Sequence, residues 1–151
     1  MMDEKILITV PAVEDADTLF KWGEENYELW GDAESKWYPK EALIKWINNP
    51  RDDVLLVARV DGKLVGMCMS YNLDSWAYCA GLYVDTQFRK QGIARKLVDS
   101  AIEILKSKGI DAIVFLVDEK NTEGMKFYKK INCKEGFKFV WMYKMLTGGG
   151  V

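Results

Sequence analysis

The sequence predicts an α/β protein: a single domain with a mixed central sheet of about seven strands flanked by four helices. Three observations predict it. Residues 54–60 and 63–71 are strand-like runs around Asp61-Gly62, and an Asp-Gly pair between apolar runs is a strong hairpin signal. Residues 92–107 carry Ile93, Leu97, Ala101, Ile104 and Leu105 at helical spacing, an apolar stripe that asks for a core. Residues 112–117 are nearly continuously apolar, as expected of a strand covered on both faces. Antiparallel strands, a long helix and a further buried strand together describe a meander followed by a right-handed crossover.

The remaining elements follow in order. Residues 6–10 form a short first strand closed by Pro11. Over 15–27, Ala16, Leu19, Phe20 and Gly23 fall at helical spacing. Pro39 suits the first turn of a second helix, whose Ala42, Leu43, Trp46 and Ile47 share a face and which stops near Asn48-Asn49-Pro50. After the hairpin, residues 72–75 turn the chain into a strand over 77–84, where Gly81 marks a bulge or the close approach of another backbone. The third helix ends before Gly109. Asn121 or Thr122 caps a short fourth helix running to Lys130. Final strands at about 133–137 and 139–145 complete a domain of residues 1–146, and the glycine-rich residues 147–151 form a flexible tail.

Composition narrows the chemistry. A chain of 151 residues is long enough for one real core. Its 49% hydrophobic and 29% charged residues are ordinary for a soluble globular protein. No apolar run approaches the ~20 residues that span a bilayer. Met1-Met2-Asp3-Glu4-Lys5 lacks the basic start and apolar run of a signal peptide. The expectation is a cytoplasmic protein with no membrane partner. Cys68, Cys79 and Cys133 are an odd set without a C-x-x-C pair, against a disulfide framework or zinc site. There is no histidine, which excludes Ser-His-Asp, Cys-His and the common zinc-hydrolase mechanisms, and no metal is expected. The net charge of −2 is uneven: residues 1–60 hold 7 Lys/Arg against 13 Asp/Glu, and residues 61–151 hold 14 against 10. An anionic ligand is drawn to the second part and a cationic one to the first. Neither is basic enough to suggest nucleic-acid binding.

The densest chemistry lies in residues 82–97. A β-branched and aromatic strand end, Leu82-Tyr83-Val84, is followed by a polar turn and then a helix opening on Gly92 amid Arg89, Lys90, Arg95 and Lys96. Such a junction gathers free backbone N–H groups at the positive end of a helix dipole, which suits a pyrophosphate. Gly92 lets phosphate oxygens reach the main chain with no Cβ in the way. The plain alternative is a solvated surface turn. A P-loop nucleotide hydrolase is disfavoured, because no G-K-[S/T] follows the glycine.

On these residues the chain resembles the GNAT superfamily of acetyl-CoA-dependent N-acetyltransferases. Arg89-Lys90-Gln91-Gly92-Ile93-Ala94 is similar to that family's Q/R-x-x-G-x-G/A pyrophosphate loop, at the same strand-to-helix junction. Asn121, Gly124 and Tyr128 match its second pattern: an Asn, a small residue three later and a Tyr seven later. The element order matches as well, so the resemblance covers nearly the whole chain. Either motif alone is weak, but the pair, separated by an amphipathic helix and a buried strand, is specific. There are departures. Asn132-Cys133 stands where the family has Gly-Phe, and Asn is the next most tolerant residue for a left-handed helix end. Gly124 replaces the commoner Ala, which loosens that helix slightly. The family's frequent glutamate base on the fourth strand has no counterpart, since residues 77–84 contain no carboxylate.

The resemblance implies that acetyl-CoA is the acetyl donor, its diphosphate held by the main chain of Arg89, Lys90, Gln91, Gly92, Ile93 and Ala94, with Arg95 and Lys96 near the phosphates or in solvent. It implies that main-chain groups of Leu82, Tyr83 and Val84 pair with the pantetheine arm, and that Asn121 is a CoA ligand, a helix cap, or both. Tyr128 would be the general acid, protonating the departing CoA thiolate; a phenol with pKa near ~10 keeps its proton at neutral pH. A primary amine would attack directly, with orientation supplying much of the rate. The base stays open among Glu24, Glu25, Glu28, Asp32, Glu34 and Asp74, each of which also reads as a plain surface charge. Trp30, Trp37 and Tyr38, interleaved with carboxylates, suit a cationic or amphipathic amine acceptor, whereas Trp22 and Trp46 read as core. Cys79 reads as a small buried hydrophobe with nothing to lower its pKa. Family members often dimerise, so a homodimer fits. The alternative to an enzyme is a non-catalytic CoA-binding sensor or interaction module of the same fold. The acceptor's identity and the acyl chain length stay open.

Overall fold

The computed structural model describes residues 5–26, 39–144 and 146. The chain divides into two compact units, Met1–Leu116 and Val117–Val151.

In the first unit the order is β1 (Ile6–Thr9), α1 (Ala16–Glu25), α2 (Lys40–Asn48), β2 (Val54–Val60), β3 (Lys63–Asn72), β4 (Ala77–Val84), α3 (Ile93–Ser107) and β5 (Ile113–Phe115), with 3-10 turns at Val13–Asp15 and Thr86–Phe88. The strands make one sheet in the order β1-β2-β3-β4-β5. Pairing is antiparallel through β4 and parallel between β4 and β5, because α3 carries the chain back before β5 begins. The β2–β3 hairpin closes on Asp61 and Gly62 with φ of 49° and 79°. Two positive φ values match the twist of the flanking strands.

Each face of the sheet is covered by a different helix set. Ile93, Leu97, Ala101 and Leu105 of α3 pack on Leu56, Ala58, Val65, Cys68, Cys79 and Val84. On the other face Leu19 and Trp22 of α1 and Leu43 and Trp46 of α2 pack on Leu55, Val57, Met67 and Met69. Burial of each valine, leucine, isoleucine or methionine side chain among these contributes about 1.5–3 kcal/mol. The entry to α1 is pinned by the buried Asp15, which accepts from the Ala12 N–H at 2.7 Å and pairs with Arg59 of β2.

The strand expected at 112–117 is shorter than its apolar run. β5 spans only Ile113–Phe115, and Val114 is 38% exposed, as is 59% of Leu116. The strands sandwiched on both faces are β2 and β3, where Val57, Ala58, Met67 and Cys68 are fully buried. Among the described residues β5 has a ladder partner on one side only, so its apolar residues do not reach that state.

In the second unit α4 spans Thr122–Lys130. It ends at Asn132, φ 67°, with the Cys133 N–H donating to Tyr128 O at 2.9 Å and the Asn132 N–H to Lys129 O at 3.0 Å. Asn thus performs the left-handed stop that glycine usually makes. The strands expected at 133–137 and 139–145 are not formed among the described residues, where the sheet has five strands rather than about seven. Aromatic residues do alternate along this segment: the rings of Phe137 and Phe139 lie 6.2 Å apart and those of Trp141 and Tyr143 5.9 Å apart. Alternation names the side that faces a partner, but a ladder needs the partner's edge, and a lone hairpin is marginal in water. Residues 147–151 lie outside the described residues. No helix among the described residues is long and apolar enough to cross a membrane.

Candidate functional site

Gly92 is the N-cap of α3, at φ 81°, with no side chain to cap the helix. The first bond into the helix runs from the Lys96 N–H to Gly92 O at 3.1 Å. The amides from Arg89 through Arg95 donate to no protein acceptor among the described residues. Lys90 is also left-handed, at φ 62°. Two residues of positive φ flank one of the ordinary hand, an arrangement in which successive N–H groups can converge on a common point. Gly92 is fully open, with no atom within 4 Å of the position a Cβ would take.

The basic residues of this junction differ in their freedom. Arg89 is tied back: its Nε–H donates to Val84 O at 2.9 Å and its guanidinium lies 5.3 Å from the Tyr83 ring centroid. Arg95 faces Asp99 one turn on, at 3.6 Å. Lys90 and Lys96 are exposed and carry no ion pair among the described residues.

The strand leading into this junction is released by both neighbours at one place. β5 pairs with β4 only at Ala77, Tyr78 and Cys79, so the β4 edge from Ala80 to Val84 has no β5 partner among the described residues. On the other side Ser70 pairs with Cys79 and Met69 with Gly81, which leaves Ala80 as the extra residue of a bulge. Gly81 had marked a bulge from the sequence, and it stands beside one. Leu82, Tyr83 and Val84 keep their β3 partners Cys68, Met67 and Gly66.

Cys79, at this fork, corrects one expectation. Its Sγ lies 3.9 Å from that of Cys68, inside the core. The Cys68 hydrogen bond pulls the Cys79 thiol down against the upward push of burial, helped by Ser70 and the amides of Gly81 and Met69. Cys68 is pushed well up, by its hydrogen bond to Cys79 and then by burial.

The α1/α2 face of the fork is aromatic. Trp46 stacks on Tyr71 at 4.5 Å and 14°, and Tyr71 on Tyr78 at 6.3 Å and 16°. Trp22 leans on Tyr83 at 5.0 Å. Asp53 fixes the far end, accepting from Trp46 Nε1 and from the Asn72 N–H, both at 2.8 Å. Burial raises the Tyr78 phenol above its ordinary value, with smaller contributions from Cys79 and Tyr71. Sequence reasoning passed over Tyr71 and Tyr78, although their near-symmetric placement about the 72–75 turn could have paired them. Trp30, Trp37, Tyr38, Glu28, Asp32 and Glu34 lie outside the described residues. Of the other carboxylates weighed as a base, Glu24, Glu25 and Asp74 are exposed, and Glu25 faces Lys21 at 3.9 Å.

In the second unit Asn121 caps α4, its Oδ1 accepting from the Gly124 N–H at 2.9 Å. A Cβ at 124 would lie 2.6 Å from Asn121 Nδ2 and 2.9 Å from its Cγ. Glycine there follows from the cap. Tyr128, two turns on from Asn121, is half-buried and meets Phe127 edge-to-face at 5.2 Å. Among the described residues no cluster of three or more His, Cys, Asp or Glu could hold a metal.

A family model described as the acetyltransferase (GNAT) family matches residues 17–132. The chain belongs to that family. An uncharacterized N-acetyltransferase of Methanocaldococcus jannaschii is 29% identical over 108 residues, 67% of this chain and 46% of that one. N-alpha-acetyltransferase 30 of Schizosaccharomyces pombe is 33% identical over 67 residues, 44% of this chain and 43% of that one. The chain thus spans less than half the length of these two curated relatives. Among solved structures, the PaiA N-acetyltransferase of Thermoplasma acidophilum in complex with coenzyme A is 27% identical, with a TM-score of 0.71 over 84% of this chain and 88% of that one. An aminoglycoside acetyltransferase from an uncultured soil metagenomic sample shares the fold at a TM-score of 0.77, with 24% identity over 97% of this chain and all of that one.

Proposed function

We propose that the protein is an N-acetyltransferase that moves an acetyl group from acetyl-CoA to a primary amine by direct attack. The observation that carries this reading is the run of unengaged amides from Arg89 to Arg95 at the left-handed opening of α3. A diphosphate accepts from those amides at the positive end of the helix dipole, and Gly92 leaves its oxygens room. Lys90 and Lys96 close around it, and Arg95 joins them by releasing an exposed, weak pair with Asp99. Arg89 acts differently, holding the loop against the end of β4. The pantetheine arm lies along the β4 edge that β5 leaves after Cys79, pairing with main-chain groups of Leu82, Tyr83 and Val84 as an added strand would.

The acceptor amine, once neutral, attacks the thioester carbon. The C–N bond forms, the C–S bond breaks, the thiolate takes a proton from the Tyr128 hydroxyl, and the proton that nitrogen sheds in becoming an amide returns to Tyr128 through water. The family pattern of Asn121, Gly124 and Tyr128 supports this role. Asn121 keeps Nδ2 for a CoA contact while Oδ1 serves the cap. With no carboxylate on β4, the amine gives its proton to water.

That missing carboxylate also favours a second reading, a CoA-binding module without catalysis. Calorimetry with acetyl-CoA followed by thiol release against a panel of amines separates the two. Absence of acetyl-CoA binding overturns both, and binding without turnover of any amine selects the second.

A further inference from the structure

If acetyl-CoA lies along the β4 edge, the acceptor's approach is restricted by what already fills the surroundings. Ahead of the thioester, the β4–β5 pairs at Ala77, Tyr78 and Cys79 close the fork. On the α3 face Ile93, Leu97 and Ala101, each buried to within 1%, pack with Cys79, Leu82 and Val84. Among the described residues of the first unit, the remaining approach is the α1/α2 face. There β4 presents Tyr78, the small Ala80 and Tyr83, all half-buried. Ala80 is the bulged residue, unpaired with β3, and it follows the last β5 pair at Cys79, so only a methyl group stands between the two tyrosines. The two tyrosines are not equivalent. Tyr83 is occupied by Trp22, 5.0 Å away, and by Arg89, 5.3 Å from its ring centroid. Among the described residues Tyr78 is the terminal ring of the Trp46–Tyr71–Tyr78 stack, backed by Tyr71 and fixed at its far end through Asp53.

We infer that Tyr78 positions the acceptor and that the acceptor is a polycationic amine: the phenol oxygen accepts from the attacking amine, and the ring draws a second cationic centre of the same molecule. This rests on the acetyltransferase reading. A tyrosine ring attracts a cation through its quadrupole, and its oxygen accepts an N–H. The stack holds the ring in place before the ligand arrives, which limits the ordering cost of binding. Burial keeps the phenol protonated, so Tyr78 orients the amine and does not act as its base. Charge agrees in sign, since α1 and α2 together carry Asp17, Glu24, Glu25 and Glu41 against Lys21, Lys40 and Lys45.

The test is steady-state acetyl transfer to spermidine, sisomicin and the monoamine benzylamine, with acetyl-CoA binding measured separately by calorimetry. For a polycation that is turned over, Tyr78→Ala raises acceptor KM about tenfold. Tyr78→Phe, which keeps the ring, raises it about threefold. In both variants kcat and the acetyl-CoA Kd stay within about twofold of wild type, a split that general damage to the fold would not produce. Should Tyr78→Ala fail to fold, Tyr78→Phe decides alone. Acceptor KM within twofold of wild type in the folded variants overturns the assignment. So does a preference for benzylamine over both polycations, or transfer to none of the three by a protein that binds acetyl-CoA; the coenzyme reading survives these results. Failure to bind acetyl-CoA removes that reading and this inference together.

Discussion

The starts of α3 and α4 are opposite solutions to one problem. Every helix begins with N–H groups that have no partner within it. α4 supplies its own: Asn121 accepts from the Gly124 N–H, and Glu123 sits in the first turn, where its charge opposes the dipole. α3 begins on a glycine with no side-chain cap and no acid in its first turn, and Arg95 and Lys96 add positive charge at an end already positive. The cap alone contributes about 1 kcal/mol and a first-turn acid about 0.3–1 kcal/mol. α3 forgoes both and still forms, because Ile93, Leu97, Ala101 and Leu105 bury one face against the sheet. An open end on a well-anchored helix can bind an anion without reorganising, and a closed end has nothing left to offer one.

The comparison breaks most directly if α3 is given what α4 has. Gly92→Asp puts a carboxylate beside the amides, and acetyl-CoA affinity is expected to fall about 100-fold; an unchanged Kd by calorimetry would show that this end of α3 holds no phosphate. Tyr128→Phe is expected to lower kcat about 100-fold while the acetyl-CoA Kd moves less than twofold. Unchanged turnover removes Tyr128 from the proton transfer and leaves α4 a structural helix. Asn121→Ala is expected to cost about 1 kcal/mol in denaturant unfolding and to speed exchange of the Gly124 amide. No loss of protection there would mean that the cap does not govern the start of α4. Gly124→Ala sharpens the same point. The added methyl displaces Asn121, but alanine's propensity returns about 1 kcal/mol, so unfolding midpoints stay close while exchange at 124 accelerates. The smallest effect is ionic: raising salt from about 50 to 500 mM should weaken acetyl-CoA binding several-fold, because Lys90 and Lys96 are exposed and screened. A flat salt response would assign the binding to the amides alone.

The same contrast explains what could be read in advance. Gly92 and its basic neighbours were visible because an open helix start is written in adjacent residues. The Asp61-Gly62 turn, the bulge beside Gly81 and the left-handed Asn132 were visible for the same reason: each is a backbone demand met by the residue that stands there. The reason for Gly124 was not visible, because it depends on the rotamer in which Asn121 caps. Arg89 looked like mobile charge and is a clip on Val84. Cys79 looked like an unperturbed thiol until Cys68, Ser70 and two main-chain amides were found around its sulfur. Of the aromatics, Trp22 and Trp46 took their expected core places, whereas the ladder that Trp46 shares with Tyr71 and Tyr78 joins two strands and a helix.

By itself the amino-acid order determined where the main chain turns, which helix faces are apolar, which motifs carry the family pattern, and which chemistries the lack of histidine removes. These are short-range matters, set by φ preference, side-chain spacing and residue type within a few positions. Only the tertiary structure decided that β5 keeps three residues of a longer apolar run, that residues 133–144 form no strand, and that β4 is released at Ala80. Each of those depends on whether another strand's edge is within hydrogen-bonding reach, and an alternating pattern encodes a side to bury without naming the partner that will bury it.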